Sequence, residues 1–289
     1  MTIVNILVGK IRSKINSIVL WRYRNIPISK SGIKQRLHPQ IIISLTSYPE
    51  RFETLHIAIA SLLNQTFKPD MVLLYLGNDS INVTLPKQVT ELTKYGLKII
   101  YKDENLGSHK KIYYALQEYP NDIIITADDD LVYERNHVLK LMKSYRKYPH
   151  CLSTKRASRM LVDDEGRLKK YSKWGSVNGY HNVPRDDLFS TIGAGTLFPP
   201  HIFSKYYDDK NTIYECCYNV DDVWVKFMAL LNDVKVVCTK GKDYIPIEEA
   251  AFSENALFMT NIGQDRNDKC IHELESKYHI LLSDYCEKV

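Results

Sequence analysis

The chain has 289 residues, 44% of them hydrophobic and 25% charged, which is enough apolar surface for a sizeable core. That balance excludes a disordered polymer, and no repeat or low-complexity block is visible. The formal charge of +5 is modest and no recognisable nucleic-acid module organises it, so nucleic acid is not expected as a partner.

The charge is unevenly spread. The first 49 residues contain no Asp or Glu, yet they carry Lys10, Arg12, Lys14, Arg22, Arg24, Lys30, Lys34 and Arg36. Between them Val4, Val8, Ile11, Ile15, Ile18, Val19 and Trp21 recur at three- and four-residue steps, which places them on one helical face. Residues 1–36 are therefore expected to form a basic amphipathic segment. No apolar run reaches the roughly 18 residues needed to span a bilayer. Two partners fit the apolar face equally: an anionic membrane surface met by residues 1–24, or protein, either its own domain or a dimer.

From residue 40 the pattern alternates. Strand "IIISLT" is followed by a helix over "ERFETLHIAIASLLNQ", strand "MVLLYL", a helix at 86–95 and strand "LKIIY". Helix "SHKKIYYALQEY" and strand "DIIITA" continue the rhythm. Short, continuously apolar strands between amphipathic helices imply an α/β fold, with a central, mostly parallel sheet flanked by helices. After residue 150 the rhythm breaks. "RMLVDDEGRLKKYSKW" reads as a hairpin closed by Asp-Asp-Glu-Gly, and a loop leads to "GAGTLFPP". A helix at "DDVWVKFMALL", strand "VKVVCT" and a helix near 269–283 complete the chain. No linker divides residues 37–289, so one domain is expected, its halves meeting near residue 133. The six cysteines lack C-x-x-C spacing and follow no signal peptide, which suggests reduced thiols in a cytosolic compartment.

Three places could carry chemistry. Asp128, Asp129 and Asp130 follow an apolar strand, where carboxylates one residue apart can hold a hard cation, Mn2+ or Mg2+, with a phosphate-bearing substrate completing its shell. The plainer alternative is a solvated turn leading into a helix near Glu134. Asp79, in "YLGND", ends an earlier strand and is either a base or ribose contact or a turn former. In "NVDDVWVKF" Asn219 can cap a helix and Asp222 falls at its third position. Asp221 and Asp222 then either complement the helix dipole or present a general base to the same cleft. Gly193 and Gly195 permit close backbone approach to a ligand, or simply a turn, and Trp174 is a candidate for stacking on a sugar ring.

Taken in order, "SLLNQTFKPD", "YLGND", "DENLGSHKKIYYAL", "TADDDLVY", "GAGTLFPP" and "VDDVWVKFMALLNDVKV" resemble the GT-A fold glycosyltransferases, most closely the large inverting family 2. The resemblance spans residues 40 to about 238. It implies a GT-A type nucleotide-diphospho-sugar transferase fold in which Asp79, Asp128, Thr46 and Lys110 contact the nucleotide and Asp128 and Asp130 hold the metal. Asp222, beside Asp221, would be the catalytic base. Three departures accompany it. "TSYPER" replaces the usual Thr-Tyr-Asn, the triple Asp leaves the D-x-D register open, and the usual Glu-Asp pair is Asp221-Asp222.

Two other readings compete. "IIITADDDLV" also fits a haloacid-dehalogenase phosphatase with Asp128 as nucleophile, which leaves the preceding βαβ units unexplained. A non-catalytic, membrane-peripheral sugar-nucleotide-binding protein would keep the fold without turnover. The expectation is a metal-dependent, inverting glycosyltransferase that uses a nucleoside-diphosphate sugar, UDP-sugar favoured, and a glycan or lipid-linked acceptor. It would act in cell-surface polysaccharide synthesis at the inner face of the cell membrane. Asp221 and Asp187 are the reserve bases, and His272 is either an extra metal ligand or, as a lone histidine on a helix more often is, structural.

Overall fold

The computed structural model describes residues 17–18, 20–23, 32–36, 38–177, 183–241, 244–247 and 265–287. Its first half is regular βα alternation. β1 (Ile41–Thr46), α1 (Phe52–Leu63), β2 (Met71–Leu76), the short α2 (Lys87–Thr90), β3 (Leu97–Tyr101), α3 (Lys110–Glu118) and β4 (Ile123–Ala127) follow in turn. Strands β4, β1, β2 and β3 pair in parallel.

The second half extends that sheet and adds a small one. β5 (Leu131–Tyr133), α4 (His137–Lys147), β6 (Leu152–Thr154), β7 (Ala157–Arg159), β8 (Gly175–Val177), β9 (Leu188–Ser190) and β10 (Thr196–Phe198) come first. α5 (Lys210–Cys216), α6 (Asp221–Leu231), β11 (Val236–Cys238), β12 (Tyr244–Pro246) and α7 (Arg266–Tyr278) follow. The main sheet runs β11-β6-β10-β4-β1-β2-β3, with β10 antiparallel to both neighbours. β8-β7-β9 form a second sheet, and β5 pairs with β12.

Strand alternation sorts the core into two layers. Ile42, Leu73, Tyr75 and Ile124 face α3, α6 and α7 through Ile112, Ala115, Val223, Phe227 and Leu274. Ile41, Ile43, Leu45, Leu74 and Ile125 face α1 and α4 through Leu55, Ile59, Leu62, Val138 and Leu141. Each fully buried Ile or Leu contributes roughly 1.5–3 kcal/mol. Apolar runs covered on both faces are thus what makes the sheet central, and its carboxyl edge is where polar residues can gather.

Several boundaries differ from the sequence expectation. The helix at 86–95 is α-helical only over Lys87–Thr90 and tightens to a 3₁₀ turn over Glu91–Tyr95. Thr90 and Thr93 donate their hydroxyls to the carbonyls of Lys87 (3.1 Å) and Thr90 (2.7 Å), which competes with α geometry. The helix placed near Glu134 starts at His137, and the last helix runs from Arg266 to Tyr278 rather than over 269–283. The expected hairpin closes through a Val162–Leu168 bridge, where Asp163 accepts the Glu165 and Arg167 amides at 3.0 and 2.9 Å.

Most of the basic N-terminal segment lies outside the described residues. Within 17–23 the described residues are helical, with Leu20 and Tyr23 packed on Ile57, Ala58, Val132 and Ile247, and Ile18, Trp21 and Arg22 exposed. Among the described residues no helix is long and apolar enough to cross a membrane. The six cysteines are free thiols, and Cys151, Cys217, Cys238 and Cys270 are buried.

Candidate active site

The three aspartates after β4 diverge. The Asp128 amide donates to the Gly193 carbonyl (3.1 Å) and the Tyr133 hydroxyl (2.7 Å), and the Tyr133 hydroxyl in turn donates to Gly193. This holds the Asp128 carboxylate flat against Gly193, where an added Cβ would lie 1.7 Å from Oδ2. What Gly193 admits is therefore an aspartate of the same chain. Gly195, at φ +106, likewise makes room for the His137 ring.

Asp129 turns inward. It accepts the Ser47 hydroxyl at 2.6 Å and Arg51 at 2.8 Å, and Arg51 also reaches Asp130 at 2.8 Å. Burial pushes Asp130 up to about 6, with Asp128 and Asp129 adding repulsion that Arg51 only partly offsets. Asp128 and Asp130 keep side-chain exposures of 33% and 20% against 8% for Asp129, so the outer pair is the one open to solvent.

Asp79 sits exposed in the turn after β2 and accepts from Asn105 at 2.7 Å. Asn105 also accepts the Gly107 amide (2.9 Å) and the Lys110 ammonium (2.5 Å). Burial lowers Lys110 to about 8 against the pull of Asp79 and Asp129. Asp79 and Lys110 thus share one cluster. The Thr46 hydroxyl is tied to the Tyr75 carbonyl at 2.8 Å.

The start of α6 supplies the remaining carboxylates. Asn219 does not cap this helix: it adopts φ +62 and its side chain accepts the Ser108 amide at 2.9 Å, while Val220 occupies the cap position. Asp221 and Asp222 are consequently the first two helical residues, one position earlier than the spacing suggested. Asp221 is buried; its Oδ1 accepts Ser108 Oγ at 2.8 Å, and its Oδ2 forms an ion pair with Lys111 Nζ at 2.9 Å. Burial alone would raise Asp221, but Lys111 and His109 hold it below the usual carboxylate range. Asp222 accepts the Ile192 amide at 2.7 Å, and burial with repulsion from Asp221 pushes it up to about 7.

Lys111 joins the two ends of the site. Its ammonium lies 2.7 Å from Asp128 and 2.9 Å from Asp221. Neither Lys111 nor Arg51 was legible as a site residue. Their only signal was arithmetic, since three adjacent carboxylates need cations nearby.

Other candidates fall away. Asp187 is clamped by Arg159 (2.9 Å) and by Arg185 (2.6 Å), and these cations outweigh burial and lower its pKa, so it is no reserve base. Trp174 is a core residue whose indole N–H donates to the Lys169 carbonyl, and it offers no stacking face. His272 faces Glu275 at 3.4 Å on α7. Among the described residues no three His, Cys, Asp or Glu side chains form a metal-holding group.

The pattern of Glycosyl transferase family 2 matches residues 42–203, more than half of the chain. The fold is similar to that of the mannosyltransferase PcManGT from Pyrobaculum calidifontis, solved with GDP-Man and Mn2+. The TM-score is 0.51 at 10% identity, over 95% of this chain and 75% of that one. TarS from S. aureus gives a TM-score of 0.48 at 14% identity, over 83% and 72%. At 10% identity the likeness to PcManGT is one of fold. No curated protein sequence matches the chain. The family match accounts for the βαβ units ahead of β4 that a phosphatase reading leaves unexplained. The chain is a GT-A fold glycosyltransferase and belongs to glycosyl transferase family 2.

Proposed function

We propose that the protein transfers a sugar, with inversion, from a nucleoside-diphosphate donor, UDP-sugar first, to a glycan or lipid-linked acceptor. The observation that carries this reading is Asp222, a carboxylate raised to about 7 at the start of α6 and held by the Ile192 amide. A base titrating near neutrality suits proton removal from a hydroxyl. The Asp222 carboxylate takes the acceptor's proton as the acceptor oxygen attacks the anomeric carbon, and the bond to the diphosphate breaks on the opposite face. Asp79, with Asn105 and Lys110 around it, contacts the base or ribose. Thr46 lines the neighbouring strand end.

Asp128 and Asp130 fit a divalent cation. They offer carboxylate oxygen and keep open surface, and Asp130, raised first by burial, also feels repulsion from Asp128 and Asp129 that Arg51 only partly offsets. With only these two residues, the donor's phosphates would complete the shell of Mn2+ or Mg2+. Such an ion, when bound, offsets charge on the departing nucleoside diphosphate.

The exposed Ile18, Trp21 and Arg22, on a segment without acidic residues, support attachment to the anionic inner face of a cell membrane. Cell-surface polysaccharide synthesis suits that position. Residues 37–289 act as one catalytic domain.

Calorimetric titration with UDP and GDP, each with Mn2+ and again with EDTA, tests the reading. Micromolar, metal-dependent binding of one nucleotide is expected. No binding of either under any condition would overturn it.

A further inference from the structure

The loop entering α3 is bonded to the loop entering α6 at several points. Ser108 donates its amide to Asn219 and its hydroxyl to Asp221, at 2.9 and 2.8 Å. His109 Nε2 meets the Cys217 carbonyl at 2.8 Å. Gly107, at φ +57, lies so close to Asn219 that a Cβ there would sit 1.8 Å from its Oδ1. Lys111 closes the clasp, reaching Asp221 on one side and Asp128 on the other.

An ammonium buried on a helix face shared with Ile112 and Ala115 is a costly choice where an apolar residue would pack. A packing role does not explain it. Its reach does, because Asp128 belongs to the strand edge of the first half and Asp221 immediately precedes Asp222.

We infer that Lys111 is a positioning residue that fixes the start of α6, and with it Asp222, relative to Asp128. This rests on the reading of Asp222 as the base. The clasp sets the separation between the proton acceptor and the donor's reacting carbon, and a displacement near 1 Å is worth about 100-fold in rate. Lys111 itself touches neither sugar.

The test pairs Lys111→Met with the double variant Lys111→Met/Asp221→Asn, because Met alone leaves two carboxylates unpaired and could unfold the chain. Asn at 221 removes that repulsion and still accepts from Ser108. The double variant is expected to regain most of the unfolding temperature that Lys111→Met loses, since the buried charge at 221 is gone and only the partly exposed Asp128 is left without its lysine. Its kcat should stay about 30-fold or more down, with donor KM changed less than about threefold, because the tether is gone. Recovery of kcat together with stability would reduce Lys111 to charge balance and overturn the inference. Asp222→Asn is assayed in parallel. If it transfers normally, the base assignment itself fails; if it is inactive while the double variant is normal, only the role of Lys111 fails.

Discussion

Replacing Asp222 by Asn should stabilise the protein while abolishing transfer. Asp222 has an ordinary value of 3.8 and is pushed up to about 7 by burial and by Asp221. At about 1.4 kcal/mol per pH unit, holding it ionised in the fold costs ~4 kcal/mol. Asp222 is only partly buried and titrates together with Asp221, so screening and sharing leave on the order of 2 kcal/mol to recover. The sign follows from linkage. Between roughly pH 4 and pH 7 the folded protein holds a proton that the unfolded chain has lost, so this group's contribution to stability is lost as pH rises through that window. At pH 5 roughly a third of the penalty is present, and at pH 8 all of it. Asn keeps an oxygen for the Ile192 amide and carries no charge. Urea unfolding of the metal-free protein in EDTA at pH 5 and pH 8 reads the difference. The variant should gain more at pH 8 than at pH 5. A variant less stable than wild type at pH 8, or a gain independent of pH, would refute the electrostatic account of this site.

Gly193→Ala should displace Asp128, because the new Cβ would sit 1.7 Å from its Oδ2. Donor affinity is expected to fall at least about tenfold, with ~1–3 kcal/mol of stability lost to overpacking, read by calorimetry and urea unfolding. Arg51→Ala strands Asp129 beside Asp130 and should cost ~3–5 kcal/mol at pH 8. Both carboxyls already titrate above their usual range, so that loss should shrink as pH falls toward 5, which thermal melts across pH would show. Ile18→Glu/Trp21→Glu places two charges on an exposed helical face and should abolish sedimentation with phosphatidylserine vesicles while soluble transfer stays unchanged.

The sheet was legible because its strands are covered on both faces and read as unbroken apolar runs. Helix ends were less so. Asn219 has the composition of a cap but is drawn away by Ser108, a partner 111 residues distant that no local pattern reports. The same limit hid Lys111 and Arg51, since a cation in "SHKK" or "PERF" reads as solvated surface until the fold buries it. The carboxylates were easier to find, because repulsion among adjacent aspartates is a local property of the chain.

The arrangement of charge also explains why lysine and arginine accompany these aspartates. Among the described residues, Asp128, Asp129, Asp130, Asp221 and Asp222 gather around two contacting cations, Lys111 and Arg51. A cluster with that excess of negative charge repels a diphosphate unless more positive charge arrives with it. Arg51 is spent on Asp129 and the inner side of Asp130, and Lys111 on Asp221 and one oxygen of Asp128. Each cation is thus shared between two carboxylates, so Asp128 and Asp130, the more exposed of the three adjacent aspartates, are only partly compensated. On the proposed reading, donor and divalent ion therefore bind as a unit. Raising Mn2+ should tighten nucleotide affinity, and nucleotide should tighten Mn2+ by the same factor. Equal nucleotide affinity with and without the ion would break that link and return the aspartates to a structural role.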